Sequence, residues 1–156
     1  MAHFPECALS GYGPAAWPYW QGFDWAALDA ALKRVCDIAR SSGIWVVLGT
    51  TQRSGNGALP TNALLVIDRT GTLMGRYAKR SCSENDHRAF APGARPLAFD
   101  IGGVRCGLLI CLDWAFSEFW QQLAGQVELV FLSAASDRAR CPRNQATTIP
   151  ALMQGY

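Results

Sequence analysis

Val104-Arg105-Cys106-Gly107-Leu108-Leu109-Ile110-Cys111-Leu112-Asp113-Trp114-Ala115-Phe116-Ser117-Glu118 is the stretch that decides the fold. Apart from Arg105, residues 104 to 110 are apolar on both faces of a strand, the pattern of a strand in the middle of a covered sheet. Residues 115 to 124 suit a short helix. Cys111 therefore stands where a buried strand turns into a helix. The positive end of a helix favours a thiolate, so this position is where a reactive cysteine is expected.

Working upstream, Leu97 to Ile101 and the Gly102-Gly103 turn make a hairpin with that strand. Residues 80 to 95 read as a polar loop with Pro92-Gly93 near its end. Ala63 to Ile67, the tight turn Asp68-Arg69-Thr70-Gly71 and Leu73 to Tyr77 form another hairpin. Ile44 to Leu48 is a buried strand, and Ser54-Gly55-Asn56-Gly57 a turn. Asp24 is an N-cap for a helix carrying Leu28, Ala31, Leu32, Val35, Ile38 and Ala39 at helical spacing, closed by Gly43. His3-Phe4 reads as the end of a strand. Downstream, Val127 to Leu132 is a buried strand, and Thr147 to Tyr156 starts a helix. Hairpins and crossovers in one chain predict an α/β fold with mixed sheets, stacked and flanked by helices.

The chain has 156 residues, half of them apolar, enough for one core. A net charge of +2 is too balanced for a nucleic-acid or polybasic membrane surface. No apolar run approaches the ~18 residues of a membrane span, and no charged-then-apolar leader follows Met1. The six cysteines include no C-x-x-C pair, and His3 and His87 are the only histidines. This argues against a disulfide framework and against zinc, and predicts a cytoplasmic protein with reduced thiols and no cofactor.

Taken singly, Lys79 reads as a solvated lysine at a hairpin end and Glu6 as a surface carboxylate at a strand end. Cys7, Cys36 and Cys106 read as inert packing. Taken together, Glu6, Lys79 and Cys111 are a base, a cation and a nucleophile at strand ends, the set that acyl transfer requires.

The motifs around these three resemble the nitrilase superfamily of carbon–nitrogen hydrolases. The chain has Phe4-Pro5-Glu6 with Leu9-Ser10-Gly11-Tyr12. It has Tyr77-Ala78-Lys79 with Phe90-Ala91-Pro92-Gly93, and Gly107-Leu108-Leu109-Ile110-Cys111-Leu112-Asp113 with Phe116-Ser117-Glu118. Their order is that of the family, and Glu6 and Lys79 stand 73 residues apart. The resemblance implies an α-β-β-α four-layer sandwich, incomplete here, because family domains carry elements before the first motif and after the point where this chain stops. Residues 1 to 156 are then a single partial domain.

The resemblance further implies that Cys111 attacks the carbon of a C–N bond to form a thioester. Glu6 then acts as general base and acid, and Lys79 stabilises the oxyanion with the Leu112 N–H. Glu84, Asp86 and His87 are the candidates for a second group in the loop after the lysine. Asp86 is grouped with Leu112 and Trp114 as lining the substrate site. Trp114-Ala115 stands where relatives that bind a substrate carboxylate carry arginine. Ser117, in place of a common proline, is a good N-cap for the helix that follows. Trp17, Tyr19, Trp20 and Trp114 are candidates to shape a pocket or pack a core. The implied partners are a small amide or carbamoyl compound, water and, for a complete domain, a second copy of the chain. The competing reading is an incompetent, truncated homologue that serves only in assembly.

Overall fold

The computed structural model describes residues 1–12, 20–55 and 57–135. Trp17, Tyr19, Asn56, Cys141 and the expected helix at Thr147 to Tyr156 lie outside them. In chain order the elements are strand β1 (Ala2–His3), helix α1 (Trp25–Ser42), and strands β2 (Val46–Gln52), β3 (Thr61–Ile67) and β4 (Leu73–Ala78). A one-turn helix α2 (Glu84–His87) and strands β5 (Ala98–Ile101) and β6 (Val104–Ile110) follow. A 3-10 turn (Cys111–Ala115), helix α3 (Ser117–Leu123) and strand β7 (Leu129–Ser133) complete the order.

The strands form two mixed sheets. The first runs β1-β2-β3-β4, with β1 parallel to β2 and the other neighbours antiparallel. The second runs β5-β6-β7, with a β5–β6 hairpin and β7 parallel to β6. Alternation along β3 shows how they stack. Leu64 and Val66 join Val47 and Tyr77 against Phe99, Cys106, Leu108, Ile110 and Phe131 of the second sheet. Leu65 and Ile67 point the other way, with Val46 and Leu48, toward Leu32, Val35, Cys36 and Ala39 of α1. On the far side of the second sheet, a Cβ at Gly107 would lie 3.0 Å from Leu123, so α3 packs there directly. The layers are α-β-β-α. Strands β3 and β6, each interior to its sheet, are covered on two faces, which is why Ala63 to Ile67 and Cys106 to Ile110 are continuously apolar.

Asp24 caps α1 by accepting from the Ala27 N–H, and Gly43 ends it in the left-handed conformation. Ile38 is 56% exposed, because it falls beyond the edge of the stripe formed by Leu28, Leu32, Val35 and Ala39. The polar loop expected over residues 80 to 95 contains α2 and buries Ala89 and Phe90. Ser117 is not the N-cap of α3. Phe116 holds that place without a side-chain hydrogen bond, and Ser117 is the first helical residue. Among the described residues, no helix is long and apolar enough to cross a membrane.

Candidate active site

The C-terminal ends of β1, β4, β6 and β7 meet at one end of the sandwich. β1 leaves the sheet after Phe4, whose N–H donates to Val47. Pro5 to Cys7 then lie flat on β2. A Cβ at Gly49 would stand 1.9 Å from the Pro5 carbonyl oxygen, so only glycine permits the approach. Cys7 turns the chain with φ at +53°. This path drives the Glu6 carboxylate inward, where it is 3% exposed.

Lys79 follows β4 and is 1% exposed, so neither it nor Glu6 is the solvated surface group that each resembles alone. Lys79 Nζ donates to Glu6 Oε1 at 2.8 Å and to Asp86 Oδ2 at 2.9 Å. Asn62 Nδ2 donates to Glu6 Oε1 at 2.7 Å, and the Ala135 N–H donates to Glu6 Oε2 at 2.9 Å. The Asn62 amide is held in turn by the Cys7 thiol, which donates to Oδ1 at 3.4 Å.

Of the three candidates after the lysine, Asp86 is the one whose carboxylate accepts from Lys79. It is fully buried, whereas the side chain of Glu84 is 90% exposed and His87 is exposed. A capping box with Ser83 fixes it, and the Tyr12 hydroxyl donates to Oδ1 at 2.8 Å. Burial pushes the Asp86 carboxyl up, but the donors from Lys79, Ser83 and Tyr12 outweigh it and hold the group below the usual carboxylate range. Burial likewise works to lower Lys79. Glu6 and Asp86 prevail and hold it above the ordinary lysine value.

Cys111 comes from the other sheet. It is half-buried, and its φ of +43° is rare for a residue with a side chain. Its thiol interacts with the Glu6 carboxylate, the Lys79 charge and the Leu112 N–H. The helix-end argument expects a depressed pKa here. The structure corrects this: burial, then the Glu6 charge, push the thiol up to about 11, against the opposing pull of Lys79 and Leu112. The turn that follows is one short 3-10 segment, too short to supply a large dipole.

Trp114 lies in that turn, and its carbonyl accepts from the Trp120 indole at 2.8 Å. Trp20 packs on Phe23, Trp25 and Phe90. It lines a cavity of about 730 Å³ with Trp25, Arg53 and Pro60, which none of Glu6, Lys79 or Cys111 lines. Asn62 and Ser83 were not picked out from the sequence. A lone amide opening an apolar strand, and a serine three residues before Asp86, were the signals available. Asp113 is a further buried carboxylate beside the cluster, 0% exposed.

A carboxylate against a neutral thiol can take its proton. An ammonium with two of its three N–H groups committed to carboxylates, among the described residues, can offer the third to an incoming oxygen. Among the described residues, no group of three or more His, Cys, Asp or Glu side chains is placed to hold a metal ion.

The carbon-nitrogen hydrolase family model matches residues 1–154. A nitrilase of Pyrococcus abyssi is 33% identical over 89 residues, which are 56% of this chain and 33% of that protein. A glutamine-dependent NAD(+) synthetase of Xylella fastidiosa is 33% identical over 144 residues, 88% of this chain and 25% of that protein. An amidase from Nesterenkonia sp. superposes with a TM-score of 0.82 at 25% identity, over 96% of this chain and 57% of that one. A mutant of the Nesterenkonia sp. AN1 amidase, at 26% identity and a TM-score of 0.80, carries the acetamide moiety of fluoroacetamide covalently at its active-site cysteine. The chain thus spans a third or less of these curated relatives and a little over half of the amidase. With the family model running through nearly all of its residues, the chain belongs to the carbon–nitrogen hydrolase family, the nitrilase superfamily.

Proposed function

We propose that the protein hydrolyses a non-peptide C–N bond in a small linear amide or carbamoyl compound, through a thioester on Cys111. One observation carries this reading: the Lys79–Glu6 hydrogen bond of 2.8 Å, fully buried, beside a cysteine at a left-handed turn. A thiol at about 11 is protonated at neutral pH, so the proton must leave as the sulfur attacks. Glu6 accepts it. The tetrahedral oxyanion is met by the remaining Lys79 N–H and by Leu112 N–H. Collapse breaks the C–N bond, and Glu6 returns the proton to the departing ammonia or amine. Water then attacks the thioester, giving up a proton to Glu6, and the acid leaves as the Cys111 thiol is restored.

Asp86 keeps Lys79 charged and aimed, and Trp114 contributes apolar wall in the turn where an arginine would favour a substrate carboxylate. The covalent adduct on the cysteine of the Nesterenkonia amidase supports the same chemistry at Cys111. Ammonia release across a panel of linear amides, carbamoyl compounds and nitriles tests the assignment. Turnover of uncharged amides or carbamoyl compounds is expected. Turnover of nitriles alone, or of none of the panel, contradicts it.

A further inference from the structure

Asp113 has no part in the proton transfers above, yet its carboxylate is bonded by four donors while fully buried. Oδ1 accepts from the Arg80 N–H at 3.1 Å and the Ser81 N–H at 2.7 Å. Oδ2 accepts from the Tyr77 hydroxyl at 2.7 Å and the Ile110 N–H at 3.0 Å. These donors belong to two different sheets. Ile110 ends β6 and immediately precedes Cys111. Tyr77 lies in β4, and Arg80 and Ser81 are the two residues after Lys79.

The bond back to Ile110 closes a ring around Cys111 and holds it at φ +43°, a conformation that needs its surroundings to enforce it. The bonds to Arg80 and Ser81 do the same for the backbone leaving Lys79. We infer that Asp113 is a positioning residue that clamps the Cys111 elbow to the Lys79 strand end, fixing the sulfur, the ammonium and the Leu112 N–H relative to one another. A carboxylate is required because three of its donors are backbone N–H groups that cannot turn round. An asparagine offers them an NH₂ on one side. This rests on the proposed chemistry for its kinetic consequence, although not for the geometry of the thiol.

The test uses Asp113→Asn and Tyr77→Phe, with kcat counted per Cys111 titrated by iodoacetamide and with the alkylation rate of the Cys111 peptide followed at pH 8. A merely structural carboxylate lowers stability and the number of titratable sites but leaves kcat per site alone. The clamp predicts a fall of about 100-fold in kcat per site for Asp113→Asn with KM little changed, the scale of a misplacement near 1 Å. It also predicts slower alkylation, since Lys79 and Leu112 no longer draw the thiol down. Tyr77→Phe removes one donor of four and is expected to lower kcat per site by about threefold to tenfold. Asp113→Asn with both readouts within about threefold of the parent overturns the inference. If that variant does not fold, unchanged kcat and alkylation in Tyr77→Phe overturn it instead. If the parent cleaves no C–N substrate, the hydrolase reading falls, and the alkylation rates alone decide the clamp by the same margin.

Discussion

The first sheet brings Glu6 and Lys79 to its edge as groups at most 3% exposed, with Asp86 fully buried beside them and a donor on every carboxylate oxygen. The second sheet brings Cys111 to the same place half-buried, at a left-handed φ, with its thiol still protonated. The charged half is finished before substrate arrives, while the nucleophilic half remains accessible and unreacted. The contrast follows from chemistry. Charges taken out of water must be fully paired, and a thiol that is to attack carbon must stay reachable. In the proposed mechanism the Glu6 carboxylate supplies at the moment of attack what the short turn after Cys111 cannot supply at rest.

Changes on the two sides should therefore fail differently. Cys111→Ala removes the nucleophile and should cut turnover by about 10⁴-fold or more, with the unfolding free energy within about 1 kcal/mol of the parent. Ammonia assays and urea titrations read the two effects. A large loss of stability would show that the elbow, too, is a structural joint. Lys79→Met should do both kinds of damage. It leaves two buried carboxylates without their cation, so about 3–5 kcal/mol of stability should go with the activity. A stable Lys79→Met protein would mean that the charged half is less closed than its burial indicates.

The same cluster sets a pH window. Lys79 is held above its ordinary value, so its stabilisation is complete below about pH 10 and is lost as pH rises through the higher folded value. Asp86 is held below its ordinary value, so its share is present above about pH 4 and is lost as pH falls through the lower folded value. The share of the urea midpoint owed to these two groups should be constant between these limits and fall on both flanks, on top of an alkaline fall from about pH 9 due to the raised Cys7 and Cys111 thiols, and Lys79→Met should remove only the lysine's part of it. The smallest effect is expected far from both halves. Asp24→Ala removes the cap of α1 and should cost about 1 kcal/mol while leaving kcat unchanged. A drop in kcat would couple the outer helix to the site.

Much of this was legible in the chain. The continuous apolar runs of β3 and β6 announce strands covered on both faces, and Asp24 and Gly43 bracket α1 as capping rules require. Glu6, Lys79 and Cys111 stood out through motif order, and the structure brings them together. What stayed hidden depended on partners distant in sequence. Asn62 has no local pattern that reveals its bond to Glu6, 56 positions away, and the motif that contains Asp113 does not reveal its bond to Tyr77, 36 positions away. The state of the Cys111 thiol was misread for the same reason. Its helical surroundings were visible in sequence, but its burial and the nearby Glu6 charge were not.

The most direct measurement is to quench the protein within its first turnovers of an amide substrate, digest it and locate the acyl group by mass spectrometry. An acyl mass is expected on the peptide containing Cys111 and is expected to be absent in Cys111→Ala. Turnover with no adduct on that peptide, or with the acyl group on another side chain, would contradict the thioester on Cys111.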